Sequence, residues 1–169
     1  MTDPEFRAAF HGHKDVLYRF AYRMTGSAAT AEDVVQDCFL ALWRNPGTYE
    51  PARGALRPFL LGMARYLMLK RWRWERPYDA LEDDASVCAP IDLESGERAN
   101  SVARAIQALP PLQREAVILA EYEELPLEEI ARATGSELAA VKSRLHRARQ
   151  NLRRMLAPLL ETKGTTYGT

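Results

Sequence analysis

Side chains that bind metals or form cross-links are scarce in this chain, whose 169 residues include two cysteines and three histidines. Cys38 falls on the apolar face of a helical pattern and Cys88 in an acidic segment, so a disulfide framework is not expected. His11 and His13 are joined to no further ligand by a Cys-x-x-Cys or His-x-x-x-His spacing, which argues against a zinc site. The same scarcity bears on catalysis. Neither a nucleophile with a matched base nor a metal constellation can be read, so no catalytic residue, metal or cofactor is assigned. Long apolar runs are also missing. The longest are too short and too interrupted to span a bilayer, and Asp3, Glu5 and Arg7 stand where a signal peptide would begin its apolar core. A soluble, cytoplasmic protein without membrane insertion is expected.

Net charge is absent as well, since 23 Lys plus Arg balance 23 Asp plus Glu. A neutral total would argue against a nucleic-acid partner, but the charge is segregated. Arg57, Arg65, Lys70, Arg71, Arg73 and Arg76 form one basic block, and Lys142 to Arg154 forms a second. Between them lie Asp79, Glu82, Asp83, Asp84, Asp92, Glu94 and Glu97. Two segments therefore attract phosphates while the middle repels them.

What is abundant is helical periodicity. Phe6, Phe10, Leu17, Phe20, Ala21 and Met24 carry a first helix to Thr25-Gly26. Thr30 with Asp33 resembles a capping box for a second helix, whose buried stripe is read as Ala31, Val34, Val35, Cys38, Phe39, Leu42 and Trp43. Asn45-Pro46-Gly47 closes it, and the segment from Thr48 to Leu56 reads as a loop. Phe59, Leu60, Met63, Ala64 and Leu67 open a third helix that should end before Pro77. The helical pattern resumes from Ala99 through Val102, Ile106 and Leu109, breaks at Pro110-Pro111, and continues with Leu112, Val117, Ile118 and Leu119. The expected fold is all-α, with two small helical domains over 1–77 and 99–160, an acidic flexible linker over 78–98 and a mobile tail over 161–169.

The C-terminal pattern is more specific. Leu127, Ile130 and Ala131 give a short helix one apolar face, Gly135 suits a tight left-handed turn, and Ser136 can cap the next helix. Leu138, Val141, Leu145, Ala148 and Leu152 then form the buried stripe of that second helix, whose remaining surface is basic. Helix, turn and basic helix together outline a DNA-reading helix-turn-helix. Lys142, Ser143, Arg144, His146, Arg147 and Arg149 are its candidate DNA contacts.

In the other basic block, Arg65 to Arg76, cations alternate with Tyr66, Trp72 and Trp74. Cations hold phosphates and aromatic faces stack on unpaired bases, a combination suited to a strand being opened. Trp72 also falls one turn from Met68, so packing into the domain and stacking on a base are both open for it. Glu32, Asp33, Gln36 and Asp37 form an acidic face on the second helix; most such faces simply solubilise a helix, and a protein-docking role needs more than the face itself.

Four segments carry a resemblance that covers nearly the whole chain: Leu17 to Gly26, Ala31 to Trp43, Leu109 to Ala116, and Val141 to Arg149. In that order they resemble the extracytoplasmic-function group of bacterial RNA polymerase sigma factors. The resemblance implies a chain that directs promoter-specific initiation, with no active site of its own. Its partners would be core RNA polymerase, through the beta-prime clamp helices and the beta flap, promoter DNA, and in some cases an anti-sigma factor. Carried over by position, Glu32, Asp33, Gln36 and Asp37 become the polymerase-binding face. Tyr49, Arg53, Arg65, Tyr66, Lys70, Arg71, Trp72 and Arg73 become the −10 contacts, and the basic helix becomes the −35 reader. Departures from the family pattern at Tyr66, Lys70 and Ala139-Ala140 bear on which promoter sequence is read. A self-sufficient helix-turn-helix repressor would leave the N-terminal half without a role, and an enzyme lacks its constellation.

Overall fold

The computed structural model describes residues 1–75 and 98–164, with the side chains of 1–71 and 100–159. Among the described residues there are helices and no strand. The expected acidic linker lies outside them except for Arg98.

Helix α1, Asp3–Thr25, starts in a reciprocal cap: the Glu5 amide donates to the Thr2 hydroxyl while the Thr2 amide donates to the Glu5 carboxylate at 2.7 Å. Those bonds hold the Glu5 carboxyl below its usual range. Gly26, at φ 70°, takes the left-handed conformation that ends the helix. The second helix, α2, Ala28–Arg44, begins at once, capped by Ser27 and not by Thr30 as expected. Ser27 is extended at φ −117° and its hydroxyl accepts from the Thr30 amide at 3.1 Å, so Thr30 is the capped residue. The helices fold back on each other, with the Phe6 ring 6.2 Å from Phe39 and 4.9 Å from Trp43.

Two 3-10 turns, Pro46–Thr48 and Pro51–Arg53, shape the loop, each placing a proline first, where its missing N–H costs nothing. Helix α3, Leu56–Glu75, buries Leu60, Leu61, Ala64, Met68 and Leu69 and packs against α1, α2 and the later helix Leu127–Thr134. The C-terminal half comprises α4, Arg98–Ala108, α5, Pro111–Val117, a π-helical turn Ile118–Tyr122, α6, Leu127–Thr134, and α7, Leu138–Gly164. Helix α7 continues through 161–164, which the sequence pattern assigns to the tail.

The expected stripe on α2 is buried at Ala31, Val34, Cys38, Phe39 and Leu42, but Trp43 is 50% exposed. It sits where the α1–α2 pair ends, with the edge of Phe6 against its ring. The two halves do not stand apart. Leu17, Phe20, Leu60 and Leu61 belong to one apolar core with Ile106, Leu109, Ile118, Ile130, Val141 and Leu145. Helix α3 lies against α6 and α1 against α4. Gly62 permits the first approach, since a Cβ there would come within 3.1 Å of the Ala133 carbonyl oxygen.

Candidate nucleic-acid interface

The helix-turn-helix is built as its sequence predicts, with one change. Gly135, at φ 62°, ends α6, and the Ser136 amide donates back to the Ala131 carbonyl at 2.9 Å. Ser136 lies two residues before α7 rather than capping it. Its hydroxyl donates to the Thr134 carbonyl and accepts from the Arg144 guanidinium at 2.7 Å, so it ties the turn to α7. Val141, Leu145 and Ala148 are buried and Leu138 and Leu152 half-buried, which fixes the rotation of α7. Lys142, Ser143, His146 and Arg147 consequently share its exposed face. Arg144 is half-buried on the turn, and Arg149 forms an exposed ion pair with Glu121 at 2.6 Å. The expected set thus holds four exposed residues on one face, with Arg144 on the turn and Arg149 paired to Glu121.

On α3 and its loop the expected set divides again. The Tyr49 hydroxyl donates to the Gly54 carbonyl at 3.1 Å and its ring lies 5.3 Å from Phe59, so the loop is braced from within. Arg53 is exposed and pairs with Glu50 at 2.8 Å. Tyr66 and Lys70 face outward. Arg71 reaches across to Asp33 on α2 at 3.3 Å. Arg65 points inward: its side chain is 18% exposed and its Nε lies 2.8 Å from Glu115, which is 1% exposed. The side chains of Trp72 and Arg73, and with them the choice between core and stacking for Trp72, lie outside the described residues.

Glu32, Asp33, Gln36 and Asp37 are all exposed on α2. Leu40, 47% exposed, and Trp43 extend that face by one and two further turns. An acidic stripe that runs into exposed apolar surface is better suited to a protein partner than to solvent. Leu40 was missed in the sequence; its offset of seven from Asp33 is the signal that could have found it. Two other residues were missed, Glu115 and Glu123, whose carboxylates are buried against arginines of the N-terminal half. Beneath the acidic face, burial pushes the Cys38 thiol up to about 12, aided by the neighbouring Asp37 charge, so it is a neutral core residue and not a reactive one.

Residues 9–77 match sigma-70 region 2 and residues 99–152 match sigma-70 region 4. The chain belongs to the sigma-70 family of RNA polymerase sigma factors. Its relatives place this sigma factor in the ECF group. It is 34% identical over 162 residues to ECF RNA polymerase sigma factor SigE of Mycolicibacterium smegmatis, covering 91% of this chain and 62% of that one. It is 32% identical over 158 residues to RNA polymerase sigma factor CarQ of Myxococcus xanthus, covering 91% and 90%, and 29% identical over 158 residues to ECF RNA polymerase sigma factor SigK of Mycobacterium tuberculosis, covering 88% and 84%. The chain therefore spans just under two thirds of SigE and most of the other two. Among solved structures it is similar to the sigma factor RpoE in complex with the anti-sigma factor NepR from Bartonella quintana. There the TM-score is 0.69 at 26% identity, over 90% of this chain and 97% of that one. No helix among the described residues is long and apolar enough to cross a membrane.

Proposed function

We propose that this sigma factor binds core RNA polymerase and directs it to promoters, reading the −35 element with α7 and opening the −10 element with α3 and the loop before it. The observation that carries this is the rotation of α7. With Val141, Leu145 and Ala148 buried, the helix after the Gly135 turn presents Lys142, Ser143, His146 and Arg147 to a major groove as a recognition helix does. Arg147 and Lys142 can bond guanine edges or phosphates, and Ser143 and His146 add donors and acceptors between them. On the other half, Tyr66 supplies a face for an unstacked base and Lys70 a phosphate contact, on the helix that follows the braced Tyr49 to Gly54 loop.

The polymerase contact falls to α2. Glu32, Asp33, Gln36 and Asp37 would meet cations of the beta-prime clamp helices, with Leu40 and Trp43 as apolar anchors. Region 4 would lie beside the beta flap. An anti-sigma factor is a further partner, supported by the similarity to RpoE as solved with NepR. The protein performs no chemistry of its own in this reading; it lends specificity to an enzyme in the cytoplasm. Run-off transcription on genomic fragments with purified core enzyme tests it. The expected result is defined start sites that appear only when both proteins are present. A purified chain that binds promoter fragments equally tightly without core enzyme would overturn the reading in favour of a self-sufficient repressor.

A further inference from the structure

Helix α5 runs into the π-helical turn Ile118–Tyr122, which packs Ile118 and Leu119 into the core and leaves Glu121 and Tyr122 exposed. The wide turn closes where the Glu123 amide donates to the Ile118 carbonyl at 3.1 Å. From it the Glu121 carboxylate meets the Arg149 guanidinium of α7 at 2.6 Å, with the two side chains 52% and 50% exposed. On α7, Arg149 follows Lys142 and His146 at steps of four and three, so these side chains lie along one edge of the exposed face. Arg149 also directly follows the buried Ala148 and stands one turn beyond the buried Leu145, which puts it at the border of that face. A helix seated in a major groove has base edges ahead of it and phosphate backbones at its flanks. Arg149 thus occupies a phosphate-facing position with its charge already paired.

We propose that Glu121 is a counter-charge that withholds Arg149 from the DNA backbone and so sets the strength of −35 binding without reading a base. The inference rests on the sigma reading above and adds to it a residue outside the recognition helix. Magnitudes decide where Arg149 stays. A phosphate contact whose affinity falls with a slope of about 0.9 per logarithm of salt is worth about fivefold at about 0.15 M salt relative to about 1 M. An exposed ion pair is worth a factor of about two to five, so the two attractions nearly cancel. Moving Arg149 onto a phosphate would in addition leave the Glu121 carboxylate unpaired beside a polyanion. Keeping the pair is therefore the better arrangement on a promoter, and Arg149 enters the interface as half of a neutral pair. Affinity for the −35 element is lower by one phosphate contact, which leaves occupancy more dependent on contacts made through core polymerase.

Salt titration of promoter binding, with holoenzyme assembled from the full chain and core polymerase, tests this. On a promoter fragment chosen by run-off transcription, Glu121→Gln should bind about fivefold more tightly at about 0.15 M salt. Its plot of log affinity against log salt should steepen by about 0.9, the increment of one phosphate contact. A merely structural role for Glu121 would move the melting temperature and leave that slope where it was. In an Arg149→Gln background, Glu121→Gln should bring neither the tighter binding nor the steeper slope. A slope that Glu121→Gln does not change overturns the proposal. So does a gain that persists without Arg149, because the carboxylate would then act by general repulsion of DNA. Both of those outcomes leave the sigma reading standing, whereas a wild-type holoenzyme that binds no promoter specifically would remove that reading and this inference with it.

Discussion

Arg144 donates to the hydroxyl of Ser136 at 2.7 Å, so a cation of the recognition helix is anchored to the turn that precedes it. Arg147, one turn further along α7, is exposed. The two arginines should therefore fail differently. Arg147→Ala should cost roughly 1–3 kcal/mol of promoter discrimination and relax preference at one position of the −35 element, because a paired guanine contact is lost. Arg144→Ala should lower the melting temperature and affect strong and weak −35 elements alike. Transcription from a panel of −35 variants, with circular dichroism melts of each protein, separates them. A uniform loss across the panel for Arg147→Ala would assign it to a phosphate.

The acidic face makes a second expectation. Asp33→Lys with Asp37→Lys should weaken binding to core polymerase while changing stability little. Exposed substitutions are usually within about 0.5 kcal/mol, although Asp33 also gives up its 3.3 Å pair with Arg71. Trp43→Ala should weaken the same binding and also lose the edge contact with Phe6, worth about 0.5–1.5 kcal/mol. Titration of labelled protein with core enzyme measures the first effect and thermal melts the second. Undiminished binding by both variants would remove α2 from the polymerase interface.

Much of this was legible in the sequence wherever one helix's periodicity decided the outcome. Val141, Leu145 and Ala148 fixed the face of α7, and Gly135 marked the turn, because both are local consequences of spacing and backbone freedom. Trp43 was misplaced because periodicity tells which side of a helix a residue occupies and not where the neighbouring helix ends. Arg65 shows the larger gap. Its basic neighbourhood pointed outward to DNA, whereas its partner Glu115 lies fifty positions later in the other half of the chain, and nothing in local pattern encodes that pairing.

His13 gives a pH dependence. Burial lowers its pKa from the ordinary 6.5, and the positive charge of Arg57 lowers it further. Below pH 6.5 the unfolded chain takes up a proton that the folded chain resists, so stability is full above that value and falls as the pH drops towards the depressed folded pKa. His13→Gln should remove this part of the decline. Melting temperatures of the two proteins measured at intervals through the acid range below neutrality provide the check, and parallel curves would show that His13 protonates freely in the folded state.

Gly26 and Gly135 both hold left-handed backbone, at φ 70° and φ 62°, but their surroundings differ. A Cβ at Gly135 would meet nothing within 4 Å, whereas one at Gly26 would fall 2.7 Å from the Gln107 side chain of the opposite half. Gly135→Ala should therefore cost only the conformational term, about 1–2 kcal/mol, and Gly135→Asn less, because asparagine tolerates that region better. Gly26→Ala should carry the same backbone cost and in addition displace Gln107 where α4 meets α1. Because that displacement acts between the halves, Gly26→Ala combined with Gln107→Ala should recover the part of the loss that exceeds the Gly135→Ala cost. Chemical denaturation of the three single variants and the double variant measures each value. Equal losses for Gly26→Ala with and without Gln107 would show that the steric term is absent and that the backbone alone sets the cost at this turn.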